Sequence, residues 1–282
     1  MILCHTAQEL AEAVSKARAE GKTIGFIPTM GALHEGHLSL VRLAQANKDF
    51  TVVSIFVNPL QFGEKSDFDS YPRTIGVDAR LLTDANVDVL FSPSGHEVFP
   101  ADLELAEPVA GALAQKFEGE YRPGHFGGML KVVSRLFDLV SPDHAYFGEK
   151  DAQQLALVMQ MVSEQIAAGR REPMKVIPCP TIRDEQGLAL SSRNSRLSDA
   201  ELRTARTLYQ ALLAGSKAGK KREQILAAAK AQLSSEATLE YLELVDPQSF
   251  ELVDQLPAGG GLLIIAAWVG DVRLIDNLLI GG

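Results

Sequence analysis

The sequence predicts an α/β protein, a doubly wound parallel sheet followed by a smaller α+β domain. Through the first 181 residues, short apolar and β-branched runs alternate with amphipathic segments of helix length, the rhythm of parallel βαβ units. Runs such as "FTVVSIFVN" (50–58) are apolar at successive positions, as strands covered on both faces require. Beyond residue 181 the order changes to two helices and then three strands, the pattern of a separate α+β unit. The expected domains are therefore 1–181 and 182–282.

The elements follow in order. "TAQELAEAVSKARAE" (6–20) spaces Leu10, Val14 and Ala17 on one helical face, with Thr6 as N-cap. "KTIGFIPT" is a buried strand ending at Pro28, and "GHLSLVRLAQAN" a helix with Leu38, Val41 and Ala44 inward. "FTVVSIFVN" is a central strand, and "PLQFGEKSDFDSYPRT" (59–74) a polar loop. "VDARLLTDAN" and "VDVLF" repeat the helix–strand rhythm. "GMLKVVSRLFDLV" is helical, "HAYF" a short strand, "DAQQLALVMQMVSEQIAA" a long helix and "MKVIPCP" another strand. "TIRDEQGLALSSRNSRLS" (181–198) is polar and turn-rich. Helices at 199–217 and 221–235 precede strands in "LEYLELVDP", "GLLIIAAWVG" and "VRLIDNLLI". The basic stretch "GSKAGKKRE" is a solvated turn between the two helices.

Composition narrows the function classes. The 282 residues are 46% hydrophobic and 22% charged, with a net charge of -9 and a pI of about 5.2. That balance disfavours a broad nucleic-acid or anionic-membrane surface but leaves room for a small anion held by a local cluster of donors. Cys4 and Cys179 have no metal-type spacing and read as reduced thiols of a cytoplasmic protein. The N-terminus has no signal-peptide pattern, and the most apolar run, 261–270, suits a buried strand rather than a membrane span.

Chemistry is concentrated in "PTMGALHEGHLSLV" (28–41). His34 and His37 are three apart, whereas HExxH zinc sites need histidines four apart on a helix with an intervening glutamate base. Gly36 also weakens a helix interior. The bland alternative is a pair of histidines satisfied within a turn. Context favours phosphate handling, because a buried strand enters a glycine-containing loop that opens a helix. The helix N-terminus offers N–H groups and a positive dipole end, and Gly31 and Gly36 allow close backbone approach. Imidazole donors there stabilise charge developing on phosphate oxygens. Lys150 in "FGEKDAQQL" (147–155) sits at a second strand-to-helix junction. A cation at a helix N-terminus opposes the dipole unless it has a phosphate to neutralise. Gln154, four residues on, shares its helix face. "LSSRN" (190–194) supplies hydroxyls and a guanidinium suited to phosphates, although Ser and Asn also favour turns regardless of function.

The strand–loop–HxGH–helix arrangement resembles the HxGH nucleotidyltransferase superfamily. Together with "FVNPLQF" (56–62), "YPRT" (71–74), "RPGHF" (122–126), "FGEKDAQQL", "LSSRN" and "RLIDN" (273–277), it resembles the pantoate–β-alanine ligase (pantothenate synthetase) family along nearly the whole chain. The resemblance implies a Rossmann-like fold and the ATP-dependent condensation of pantoate with β-alanine through a pantoyl adenylate, releasing pyrophosphate and AMP. It implies an ATP loop of Met30, Gly31, Ala32, Leu33, His34, Glu35, Gly36 and His37, with His34, His37 and Lys150 catalytic. Gly148, Glu149, Lys150, Asp151, Ile182, Leu190, Ser191, Ser192 and Arg193 are implied ATP contacts. Gln61 and Gln154 would bind pantoate, Gln61 also β-alanine. Mg2+ would bridge the phosphates, with Asp78 in its outer shell, although Val77 stands where some members carry a second acid. Met129 and Lys131 also depart from the smaller residues expected there. The C-terminal domain would act as a lid, and the family implies a homodimer. The alternatives are another HxGH adenylyltransferase acting on a small molecule, or an inactive nucleotide-binding module.

Overall fold

The computed structural model describes residues 1–63, 68–69, 71–101, 108 and 110–281. Part of the polar loop expected over 59–74, namely 64–67 and 70, lies outside the described residues. The chain divides into two compact units, one of Met1–Gly148 and Leu157–Cys179, the other of Glu149–Ala156 and Pro180–Gly282. The second unit thus includes a short stretch lying ahead of residue 182.

The first unit is built on six parallel strands: β1 (Ile2–Cys4), β2 (Ile24–Thr29), β3 (Phe50–Ile55), β4 (Val89–Phe91), β5 (His144–Gly148) and β6 (Lys175–Cys179). Their order is β1-β4-β3-β2-β5-β6. From β2 the chain steps outward through β3 and β4, then crosses back to place β5 on the other side of β2. The carboxyl ends of β2 and β5 therefore flank the point where strand order reverses, the position at which doubly wound sheets bind ligands. Strand β2 is buried at five of six positions, which explains its unbroken apolar run.

Helices supply the crossovers. Helix α1 (Ala7–Ala19) starts with a reciprocal cap in which Thr6 Oγ1 accepts the Glu9 N–H while Glu9 Oε2 accepts the Thr6 N–H. Such a cap contributes about 1 kcal/mol. Helix α2 (Glu35–Ala46) follows β2, and α3 (Ile75–Asp84) precedes β4. Helix α4 (His125–Val140) buries Phe126, Met129, Leu130, Val133 and Phe137. Met129 is thus a core residue. Helix α5 (Ala152–Ala167) precedes β6. Strand β1 has no counterpart in the sequence reading, since three residues at the chain start are too short to show a period.

In the second unit, β7 (Ala237–Val245), β8 (Gly261–Val269) and β9 (Val272–Ile280) form an antiparallel sheet. Helices α6 (Asp199–Ser216) and α7 (Arg222–Lys230) pack on it through Leu208, Leu212 and Ile225 against Leu263 and Ile265. The last helix is shorter than the predicted 221–235. After Lys230 the chain turns, and the Ser234 N–H donates to Thr207 Oγ1 at 3.2 Å instead of continuing the helix.

A buried polar knot ties the amino-terminal side of the large sheet. The Asp49 side chain is fully buried. It accepts from Thr23 Oγ1 (2.7 Å), His144 Nδ1 (2.8 Å) and Tyr146 Oη (2.6 Å), while Asn47 Nδ2 donates to Tyr146 Oη at 2.8 Å. Burial and the neighbouring carboxylate push the Tyr146 phenol above its ordinary pKa, so it remains a donor. Tyr146→Phe leaves the buried carboxylate one donor short and should lower stability by about 1–3 kcal/mol, read by urea denaturation. Unchanged stability would show that the knot does not depend on this hydroxyl.

Candidate active site

The loop between β2 and α2 has an almost closed account of N–H groups. The Gly31 N–H donates to Thr29 Oγ1 (3.2 Å), the Ala32 N–H to Asp78 Oδ2 (3.0 Å) and the Leu33 N–H to Asp78 Oδ1 (2.9 Å). The His34 N–H donates to His37 Nδ1 at 3.3 Å and the Gly36 N–H to His34 Nδ1 at 3.1 Å. The His37 N–H reaches the His34 carbonyl at 2.8 Å. From Gly31 to His37, only the Glu35 N–H has no acceptor among the described residues.

Backbone N–H groups only donate, so Nδ1 of both histidines accepts. In the neutral imidazole the proton then resides on Nε2, making that nitrogen a donor on each ring. The rings lie with centroids 4.1 Å apart and tilted by 46°. The capping geometry places two like donors side by side at the carboxyl end of β2, where an anion with several oxygens can receive both.

Gln61 lies on a 3₁₀ turn, Pro59–Gln61, and is buried. A chain of hydrogen bonds decides which way its amide faces. The Leu60 N–H donates to Asn58 Oδ1 (3.1 Å), so Asn58 Nδ2 is the donating side, and it donates to the Gly128 carbonyl (3.1 Å) and to Gln61 Oε1 (3.0 Å). Gln61 Nε2 therefore faces the other way, with Met30 Sδ at 3.0 Å, and presents donors. His125 Nδ1 donates to the Gln61 carbonyl at 2.9 Å while its Nε2 accepts from Arg122 at 3.2 Å. A Cβ on Gly128 would come within 2.0 Å of the Leu60 carbonyl, so only glycine lets α4 approach this turn.

The second unit holds its predicted residues on equally well-supported turns. The 3₁₀ turn Glu149–Asp151 is fastened by Asn277, whose Nδ2 donates to the carbonyls of Glu149 (2.9 Å) and Lys150 (2.8 Å). Lys150 Nζ is 3.8 Å from Asp151 Oδ1, a loose contact that leaves the ammonium able to take another anion. Arg183 pairs with Asp276 through both nitrogens, at 2.5 and 2.9 Å, and lies over the Tyr209 ring at 3.7 Å. Ile182 and Leu190 are joined by a backbone hydrogen bond of 2.9 Å at the base of a hairpin. Inside it, burial opposes ionisation of Asp184, but the N–H groups of Leu188 and Gln186 and the Arg206 guanidinium outweigh it and hold the carboxyl below the usual range. Ser191 caps the 3₁₀ turn Ser192–Arg196 through the Arg193 N–H. Asn194 Nδ2 donates to the Ala189 carbonyl, while its Oδ1 is a buried acceptor with no partner among the described residues. Gln154 is half-buried on α5, next to the buried Gln153.

A sequence model of the family described as pantoate-beta-alanine ligase matches residues 2–279. The chain belongs to the pantoate–β-alanine ligase family. It is 41% identical to the pantothenate synthetase of Caldicellulosiruptor bescii, over 99% of both chains. It is 43% identical to that of Brucella canis, covering 100% of this chain and 96% of the relative. The crystal structure of pantothenate synthetase from Thermus thermophilus superposes with a TM-score of 0.92 at 42% identity over all of both chains. The pantoate–β-alanine ligase of Francisella tularensis, crystallised with β,γ-ATP and β-alanine, gives 0.79 at 35% identity over 99% and 97%.

Within this family frame, one feature of the sequence reading changes. The helix N-terminus is expected to offer free N–H groups, yet those of Gly36 and His37 go to His34 Nδ1 and the His34 carbonyl, which leaves that of Glu35 without an acceptor among the described residues. Asp78, expected in a metal's outer shell, is 1% exposed and accepts from two loop N–H groups and from Thr74 Oγ1 at 3.1 Å. The sequence reading missed Asn58, His125, Gly128, Arg183, Asp276 and Asn277 as functional support, although all but Gly128 and Arg183 fall inside the quoted motifs. Asn58→Ala releases the Gln61 amide and should raise the KM for pantoate about tenfold, the cost of roughly 1.4 kcal/mol of lost orientation. An unchanged pantoate KM would mean that the amide is held by other contacts.

Proposed function

We propose that the chain joins pantoate to β-alanine in two steps. In the first, a pantoate carboxylate oxygen attacks the α-phosphorus of ATP, the bond to the β-phosphate breaks and pyrophosphate leaves. In the second, the β-alanine amine attacks the acyl carbon, AMP departs and the nitrogen loses a proton. The observation that carries this reading is the imidazole pair at the switch point of the sheet, in which both Nδ1 atoms accept from the backbone, the arrangement that in a neutral ring leaves the proton on Nε2. An anion attacking an anionic phosphate needs its charge met as the transition state forms, and neutral donors held by the backbone do so without reorganisation.

Gln61 supports the choice of acid. Its amide presents donors, which suit the carboxylate and hydroxyl oxygens of pantoate and, in the second step, the carboxylate of β-alanine. Gln154 is assigned to pantoate as well. Gly148 through Asp151, together with Ser191, Ser192 and Arg193, are assigned to the nucleotide, with Lys150 neutralising phosphate charge. Ile182 is assigned to the adenosine moiety and Leu190 to the nucleotide. Mg2+ is assigned to the triphosphate, bridging its phosphates rather than sitting in an all-protein cage. No helix among the described residues is long and apolar enough to cross a membrane. A homodimer in the cytoplasm completes the proposal.

Two experiments test it. Pantoate-dependent exchange of labelled pyrophosphate into ATP should proceed without β-alanine, and its absence from a preparation that makes pantothenate would sink the adenylate route. His37→Ala removes one Nε2 donor and should slow that exchange about a hundredfold or more, while the lost capping contact costs only about 1 kcal/mol in denaturation. A variant that unfolds, or one that exchanges at the normal rate, would make His37 a structural residue.

A further inference from the structure

The β2–α2 loop contains two successive positive-φ residues, Gly31 at +82° and Ala32 at +50°. For alanine this conformation is strained, so something outside the loop must hold it. The N–H groups that the turn exposes, those of Ala32 and Leu33, converge on the two oxygens of a single carboxylate, Asp78. In glycine loops that bind nucleotides, successive N–H groups of this kind receive phosphate oxygens. Here the cradle already contains an anion belonging to the chain.

We propose that Asp78 is a positioning residue for adenylation: its buried carboxylate fills the amide cradle of the loop, holds the left-handed turn that presents His34 and His37, and denies that cradle to phosphate. The proposal rests on the adenylation reading above. Asp78 lies in the first turn of α3, where the helix dipole favours an acid, and Thr74 Oγ1 supplies its third donor. A Cβ on Gly31 would stand 3.1 Å from Asp78 Oδ2 and 3.1 Å from Ile55 Cγ2, so the glycine is set by this carboxylate as well as by its φ. With the cradle filled, the phosphate meets the imidazole Nε2–H groups and the Glu35 N–H. The loop thus hands anion recognition from amides to imidazoles, the groups able to respond to charge building on the α-phosphate.

The test uses Asp78→Ala and Asp78→Asn in the full chain, at a temperature where circular dichroism shows each folded. The asparagine keeps the volume but turns an N–H against one of the loop amides. Nitrogen-15 spectra of the imidazoles should show His34 and His37 as Nε2–H tautomers in the parent protein and as mixed tautomers in both variants. Pantoate-dependent pyrophosphate exchange should fall about a hundredfold, with the KM for pantoate within about twofold. Added formate, a carboxylate small enough for the vacated cradle, should restore at least about tenfold of the alanine variant's loss. Folded variants that keep the parent tautomers, or an alanine variant whose lost exchange formate does not recover, would overturn the assignment. Absence of exchange in the parent would instead sink the adenylation reading, leaving the tautomer signals to judge Asp78.

Discussion

A parallel strand cannot return to its neighbour through a tight turn. Each must be followed by a crossover that carries the chain back over the face of the sheet, so every strand's carboxyl end emerges on the same edge. In this protein the constraint determines where chemistry can be placed. Strand β2 is central and buried on both faces, and the reversal of strand order falls between it and β5. The loops leaving these two strands carry the HxGH and the GEKD residues. The helix after β2 begins at the loop it caps, so the imidazoles that satisfy its first N–H groups lie at that edge of the sheet.

That double use gives the site its character. Capping side chains of Ser, Thr or Asp satisfy helix N–H groups and end there. A histidine in the same role accepts through Nδ1 and still has a donor on the far side of its ring. Caps made by His34 and His37 thus set the tautomer by the same hydrogen bonds that start the helix.

The remaining motifs divide into residues proposed to touch ligands and residues that aim them. Asn58, fixed by a backbone N–H and a backbone carbonyl, dictates the sense of the Gln61 amide. Asn277 clamps two carbonyls of the Glu149–Asp151 turn, beside Asp276 in its ion pair with Arg183. These supporting residues bond mainly to backbone atoms, so a change of even one functional group would move a turn rather than remove a contact. Their cost in sequence is high, which is why the motifs extend well beyond the few side chains that do chemistry.

From the sequence alone one could read the alternation of strands and helices, the cap at Thr6 and the change of architecture near residue 181. All of these rest on local periodicity and on short-range spacing, which a linear string contains. It could not show that Asp78 reaches back across 46 and 45 positions to the Ala32 and Leu33 N–H groups, or that His125 holds the Gln61 carbonyl from 64 residues away. Nor could it stop α7 at Lys230, since the competing acceptor, Thr207, lies 27 residues before the Ser234 N–H that it receives. Those outcomes depend on which groups the crossovers bring within about 3 Å of one another. The sequence determined what kinds of donor and acceptor were present, and the tertiary structure decided which of them met and were spent on the fold.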